Sequence, residues 1–428
     1  MPAHSQSNSP ASRGAWFLPL VLAGLGVLGW ACQDSGGSND SSDDDSGNED
    51  GTESADGTSD GSSEVTRQDV LASIATQVIV PSTADFATQA ASLQSAVDAY
   101  AAAHTDEATL QAAQDSWRET MSQWQRLELM QVGPAASSLA GIAGEDVRDE
   151  IYSWPTADTC AVDRALADED YAADTFFVTE LVWAYGLDAL EYLLFAAGDE
   201  HTCPTQVQLD GPWAALSDDE RASRRATYAA VLAGHIADQA STLATRWDPA
   251  GDDYAALLAN PGSGDSPYAS DVEALDEIFR SMFYVDKQTK DAKLGLPLGL
   301  VTGCDAVPCL DLLENPWSAD AGPAIVANLS VLRDLIQGGS DPETADGFDD
   351  LLEQMGEGQI ASTLLADIDS AIATIEALDA PLAQVIASDT AQGEAVHAAV
   401  KNVTDTLKGP FVMALMLTIP AEGAGDHD

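Results

Sequence analysis

Basic side chains are scarce in this chain. Its 428 residues hold 17 Lys plus Arg, only five of them Lys, against 71 Asp plus Glu, a formal charge of −54. So negative a surface repels phosphate backbones and anionic headgroups, which excludes nucleic acid as a partner. Cations or a basic partner fit the charge, and so does plain solubility in a salty setting. Strand-type alternation of apolar and polar residues is also scarce, which excludes an extended sheet as the main architecture. Within residues 67–428 there is no Gly-x-Gly-x-x-Gly turn or P-loop for phosphate, no Gly-x-Ser-x-Gly elbow and no His-Glu-x-x-His pair, so the common nucleotide, serine-hydrolase and zincin chemistries lack their residues there. His104 and Glu107 do lie three apart, but across an expected helix cap at Thr105. His235, with Asp238 three residues on, reads as an ordinary helical histidine.

What is present begins with an apolar stretch over 15–31, AWFLPLVLAGLGVLGWA. It falls short of the ~20 residues a transmembrane helix needs and is rich in Pro and Gly, so it reads as the core of a secretory signal spanning 1–31. It ends in Gly-Trp-Ala-Cys, which resembles a lipobox with Cys32 as the lipidated residue. Residues 33–66 then carry 11 acids and no base. That segment, 32–66 with the cysteine, is expected to be a disordered acidic tether holding a domain off a membrane. The membrane is thus an expected partner through the lipid. Gln33 after the cysteine resembles the sorting signal for the outer rather than the inner membrane. Cys160, Cys203, Cys304 and Cys309 remain, an even number in an exported chain. Three pairings are possible. Cys160–Cys203 with Cys304–Cys309 is favoured because each pair lies in its own half, and a four-Cys zinc site is the alternative.

The rest reads as all-α, two helical-bundle-like domains over 67–250 and 265–428, split by the turn-rich segment 248–268. Helices are expected over 68–103 (broken at Pro81), 106–130, 174–197 and 217–247. In the second half they are expected near 269–293, 320–337, 343–355, 359–377, 379–388 and 390–417. The most informative stretch is 181–198, LVWAYGLDALEYLLFAAG. It is apolar nearly all round apart from Asp188 and Glu191, which at i and i+3 share one side of a helix. Two buried carboxylates must be protonated, paired with a cationic side chain (Arg118, Arg126 or Lys293), or bound to a cation. On the preceding helix Trp117, Trp124 and Glu128 recur on one face. The tryptophans read as core, and Glu128 is a candidate to join Asp188 and Glu191 in one inter-helix site.

Four segments resemble the imelysin family. GLDALEYLLF (186–195) is similar to its Gly-x-His-x-x-Glu signature, with Asp188 in place of the His and Glu191 as the Glu. WRETMSQWQRLELMQVGP (117–134) is similar to its Trp/aromatic/Glu/Gly-Pro helix. IYSWPTADTC (151–160), with Trp154, and FYVDKQTKDAKLGLPLGL (283–300), with Lys293, resemble two further motifs. The resemblance implies an all-helical two-bundle fold and a cell-envelope protein linked to iron uptake. The namesake is an insulin-cleaving metallopeptidase, but Asp188 removes the imidazole on which a zinc site would rest. The expected function is therefore capture of iron, another divalent cation or a ligand between helices by Glu128, Asp188 and Glu191, supported by Trp117, Arg118, Trp124, Trp154 and Lys293. A metallopeptidase and a structural lipoprotein that engages an envelope protein partner are the alternatives.

Overall fold

The computed structural model describes residues 64–420 apart from Ala197 and Asp199. The signal, Cys32 and nearly all of the acidic tether lie outside the described residues. The first helix, α1 (Arg67–Ala102), starts at a capping box. Thr66 accepts from the Asp69 N–H, and Asp69 returns to the Thr66 N–H, which satisfies two of the orphan donors of a helix start. Phe86, Ala90, Leu93 and Val97 fall on one face and are fully buried. At about 1.5–3 kcal/mol for each large side chain removed from water, that face holds the helix in place. The break expected at Pro81 does not occur. The turns over Ile74–Ile79 widen to π geometry, and the α-helix resumes at Val80 with Pro81 in its first turn, so the widened turns accommodate a ring and a missing N–H that a regular helix interior would not.

Helices α2 (Glu107–Leu127), capped by Asp106 rather than Thr105, and α3 (Leu187–Phe195) follow. Next comes α4 (Asp218–Trp247), with the Ser217/Glu220 capping box and acidic first turn that its sequence suggests. Helix α1 packs along both α2 and α4, and α3 lies against α2 and α4. The second half contributes α5 (Asp271–Met282), α6 (Val285–Gly295), α7 (Ala321–Ile336), α8 (Gly358–Glu376) and α9 (Thr390–Thr406). There α7 packs on α8 and α6, and α9 on α8 and α6. The halves meet where α7 crosses α2. The Arg126–Asp334 ion pair, at 2.7 Å, spans that crossing. No strand occurs among the described residues.

The helix expected over 174–197 is much shorter. Phe176–Thr179 and Val182–Ala184 are isolated turns, and α3 starts only after Gly186. Gly186 has φ +99°, and a Cβ there would come within 3.0 Å of both an Asp188 carboxylate oxygen and the Ile151 carbonyl. Only glycine makes that turn without strain. The expected disulfides are formed, Cys160–Cys203 and Cys304–Cys309, which removes the four-Cys zinc alternative.

Candidate functional site

Glu128 follows the last turn of α2, and none of its side chain reaches solvent. Its partner is Arg148, on the short helix Val147–Ile151, with Nε 3.4 Å from a Glu128 carboxylate oxygen. The same guanidinium donates to the Trp154 carbonyl at 3.0 Å and lies 5.7 Å over the Tyr152 ring. Burial opposes the charge on Arg148, but Glu128, Tyr284 and Asp149 outweigh it and raise its pKa. Arg148 stays cationic.

Asp188, in the first turn of α3, is buried. Its carboxylate accepts the Ser153 hydroxyl at 2.6 Å and the Ala189 N–H at 3.0 Å. Burial pushes its pKa up to about 6, against these hydrogen bonds and the nearby Arg148 charge. Glu191, one turn on, is 1% exposed. One of its oxygens accepts the Trp317 N–H at 3.2 Å, and the Ser318 N–H and hydroxyl at 2.7 Å each. Burial, with a smaller push from Asp188, raises Glu191 to about 8. At neutral pH its protonated form therefore predominates, which is how an apolar surround tolerates it without a cation.

A second buried cluster centres on Lys293, carried inward by α6. Its ammonium donates to Gln125 at 2.5 Å and Asn328 at 2.8 Å and pairs with Glu314 at 3.0 Å. It lies 5.2 Å over the Tyr284 ring and 5.9 Å over that of Trp154. Burial lowers its pKa, and Glu314 opposes that. Glu314 also accepts the Gln125 amide at 2.9 Å and the Tyr152 hydroxyl at 2.7 Å. Asn328 returns its amide to the Gln125 carbonyl at 2.6 Å. Gln125 and Tyr152 come from the first half and Lys293, Glu314 and Asn328 from the second, so the network ties the halves together through charge and hydrogen bonds.

Several sequence expectations are corrected here. Neither Arg118, Arg126 nor Lys293 pairs with Asp188 or Glu191. Arg118 meets Asp115 and Asp320, Arg126 meets Asp334, and Lys293 meets Glu314. Arg148 is the cation that lies near both Glu128 and Asp188. Asp188 and Glu191 do adjoin, but Glu128 is committed to Arg148. Among the described residues no three His, Cys, Asp or Glu side chains are grouped so as to hold a metal ion. The three carboxylates therefore do not fit a shared cation. Trp117 and Trp124 are core, as their spacing suggests. Trp117 donates to the Leu187 carbonyl at 2.9 Å and so fixes the start of α3, while Trp124 packs on Phe86 and Tyr152. Arg118 lies 4.7 Å over the Phe195 ring. His235 stacks on Phe177 and meets Glu150 at 3.1 Å.

Beside this network lies an open cavity of about 480 Å³, walled by Arg148 and Tyr284 on the buried side and by α5, the start of α6 and the loop before Val147 elsewhere. Sequence reasoning missed Gln125, Arg148, Tyr152, Tyr284, Glu314 and Asn328. Asn328 left a trace, as a lone amide within the apolar run AIVANLSVL. The others have no periodic signature.

The sequence matches the imelysin family model over residues 79–408. It is 29% identical over 236 residues to iron-regulated protein A of Synechococcus elongatus, covering 55% of this chain and 56% of that relative's length. Two solved structures are similar in fold at 18% identity. One is described as an iron-regulated protein A precursor from Parabacteroides distasonis, with TM-score 0.64, covering 84% of this chain and 97% of that one. The other is an imelysin-like protein from Psychrobacter arcticum, with TM-score 0.63, covering 84% and 98%. Since the family model spans most of the chain and meets the all-helical fold and the α3 signature, this protein belongs to the imelysin family.

Proposed function

We propose that this imelysin-family protein is an outer-membrane lipoprotein, anchored through Cys32, that captures a ligand in iron uptake. The observation that carries the reading is the cavity over the buried network. A space of about 480 Å³ lies within the range of small-molecule sites and far exceeds what a bare ion needs. Its inner wall is fixed, because Arg148 is held by Glu128 and the Trp154 carbonyl, so a ligand meets a pre-positioned surface. The buried carboxylates serve as framework behind that wall. The iron connection rests on the family and on the iron-regulated relatives. A peptidase reading would need a metal-ligand set that Glu128, Asp188 and Glu191 do not form.

Two measurements test this. Membrane fractionation with Cys32→Ser should release the chain from the envelope, whereas unchanged membrane attachment would defeat the anchor. Native mass spectrometry with elemental analysis of the chain isolated without chelators should find a bound species. Ala140→Trp fills the exposed rim of the cavity and should abolish it. A chain that carries and binds nothing, or one unaffected by Ala140→Trp, would overturn the ligand reading.

A further inference from the structure

The lining of this cavity runs against the composition of the chain. Three of its 17 Lys and Arg residues, Arg148, Arg280 and Lys287, face one space in a molecule of charge −54. They come from three elements, the short helix Val147–Ile151, α5 and α6. Each is held from behind by a carboxylate: Arg148 by Glu128, Arg280 by Glu277, and Lys287 by Asp291 at 3.3 Å and Asp286 at 3.6 Å. All three side chains line the cavity, and 21%, 26% and 25% of their surface is exposed. A guanidinium carries five N–H donors in a fixed fork, so Arg280 keeps donors beyond its pairing with Glu277, whereas Arg148, which also meets Asp149 and the Trp154 carbonyl, keeps fewer. Asp146 and Asp149 also line the space. Asp146 already accepts the Ser138 N–H and hydroxyl, at 2.7 and 2.5 Å, and Asp149 accepts from Arg148 at 3.2 Å. The cations are thus set in place, and each wall acid already meets a donor, Ser138 for Asp146 and Arg148 for Asp149.

We infer that the cavity takes a small polycarboxylate anion, free or already holding a ferric ion, with Arg148, Arg280 and Lys287 as its carboxylate-binding residues. This rests on the ligand-binding reading above and names the class of ligand. Planar carboxylates match the guanidinium fork in two-pronged hydrogen bonds, and several carboxylates on one molecule match cations on several walls. A bare metal ion would meet three positive heads and only the carboxylates of Asp146 and Asp149, which no third ligating side chain joins among the described residues. A ferric ion that arrives inside a chelate needs no ligand set from the protein, in keeping with the absence of one among the described residues.

Calorimetric titration of the full chain at low salt with citrate, ferric citrate, inorganic phosphate and calcium chloride tests this. Citrate or ferric citrate should bind, phosphate and calcium should not, and Arg280→Gln and Lys287→Gln should each weaken binding about tenfold, at a temperature where thermal unfolding shows both variants still folded despite the loss of their pairing with Glu277 and Asp286. Equal binding of the two citrate forms would mean that the carboxylates alone are read, and binding of the ferric form only would mean that the chelate is. Binding of neither, tighter binding of phosphate, or affinities indifferent to both substitutions would overturn the inference. If Ala140→Trp abolishes binding while the charge substitutions leave it unchanged, the cavity binds a ligand without reading its charge. The inference then fails while the ligand-binding reading stands.

Discussion

Glu191 holds a carboxylate against three donors and no cation, and this has a pH signature. Its folded pKa of about 8 lies above the ordinary 4.5. Between those values the folded chain holds a proton that the unfolded chain has released. The stability that the proton supplies is full below about pH 4.5 and is lost as pH rises through 8. Glu191→Gln keeps an oxygen to accept from Trp317 and Ser318 but has no proton to lose. Urea unfolding at pH 5, 6.5 and 8.5 should show the natural chain losing more stability over that span than the variant, by an amount on the order of 3 kcal/mol. Parallel pH profiles would mean that Glu191 is ionised in the folded chain. Asp188, raised to about 6 by burial, slopes the same way in both proteins and largely drops out of the comparison. At this scale the sequence marks which side chains are costly to bury but not what each one meets. Asp188 and Glu191 stand out because they interrupt an apolar helix. Their partners, Ser153 and Ser318, lie 35 and 127 residues away, and no spacing rule on one helix reaches that far.

The elements that place these residues depart from regular helix where the site is built. Helix α6 is π-helical for 11 residues, a long run for a form that mostly occurs as single turns, often at functional sites. It turns Asp286, Lys290 and Lys293 inward together. Lys293→Met should cost about 3–5 kcal/mol, because Glu314 is left charged, fully buried and without its cation. Adding Glu314→Gln removes that stranded charge and keeps an acceptor for the Tyr152 hydroxyl, so the double variant should recover a large part of the loss. A double-mutant cycle by chemical denaturation measures this coupling. Additive costs would mean that the pair contributes little and that Gln125 and Asn328 hold the lysine alone. Apolar periodicity made the long regular helices α1, α2, α4, α7 and α8 legible to within a few residues. It overextended the helix before α3 because the apolar run continues through residues 176–185, which fold as separate turns. Composition gave no sign of the left-handed turn at Gly186 or of the π turns that carry α1 past Pro81, since both are settled by tertiary contacts.

Across the whole molecule, stability sets a large helical core against the mutual repulsion of an acidic surface. The described helices form one compact unit, tied across the halves by Arg126–Asp334 and by the Lys293 network. A formal charge of −54 opposes that compactness, because unfolding spreads the charges apart. Salt screens this repulsion: the Debye length falls from about 30 Å at 0.01 M to about 3 Å at 1 M. Salt also screens the exposed ion pairs, such as Arg246–Asp252 and Lys401–Asp405, but each of these contributes only about 0–1 kcal/mol. Bases are too few to match the acids, so relief of repulsion wins. The thermal midpoint should therefore climb steadily as sodium chloride is raised from 10 mM to 1 M, by roughly 1–1.5 °C for each kcal/mol gained in a unit of this size. An uncharged osmolyte at matched osmolality is the control for general exclusion effects. A flat or falling midpoint would mean that the surface acids are already neutralised by bound counterions or raised pKa values, and that the acidic composition does not govern how far this fold is stabilised.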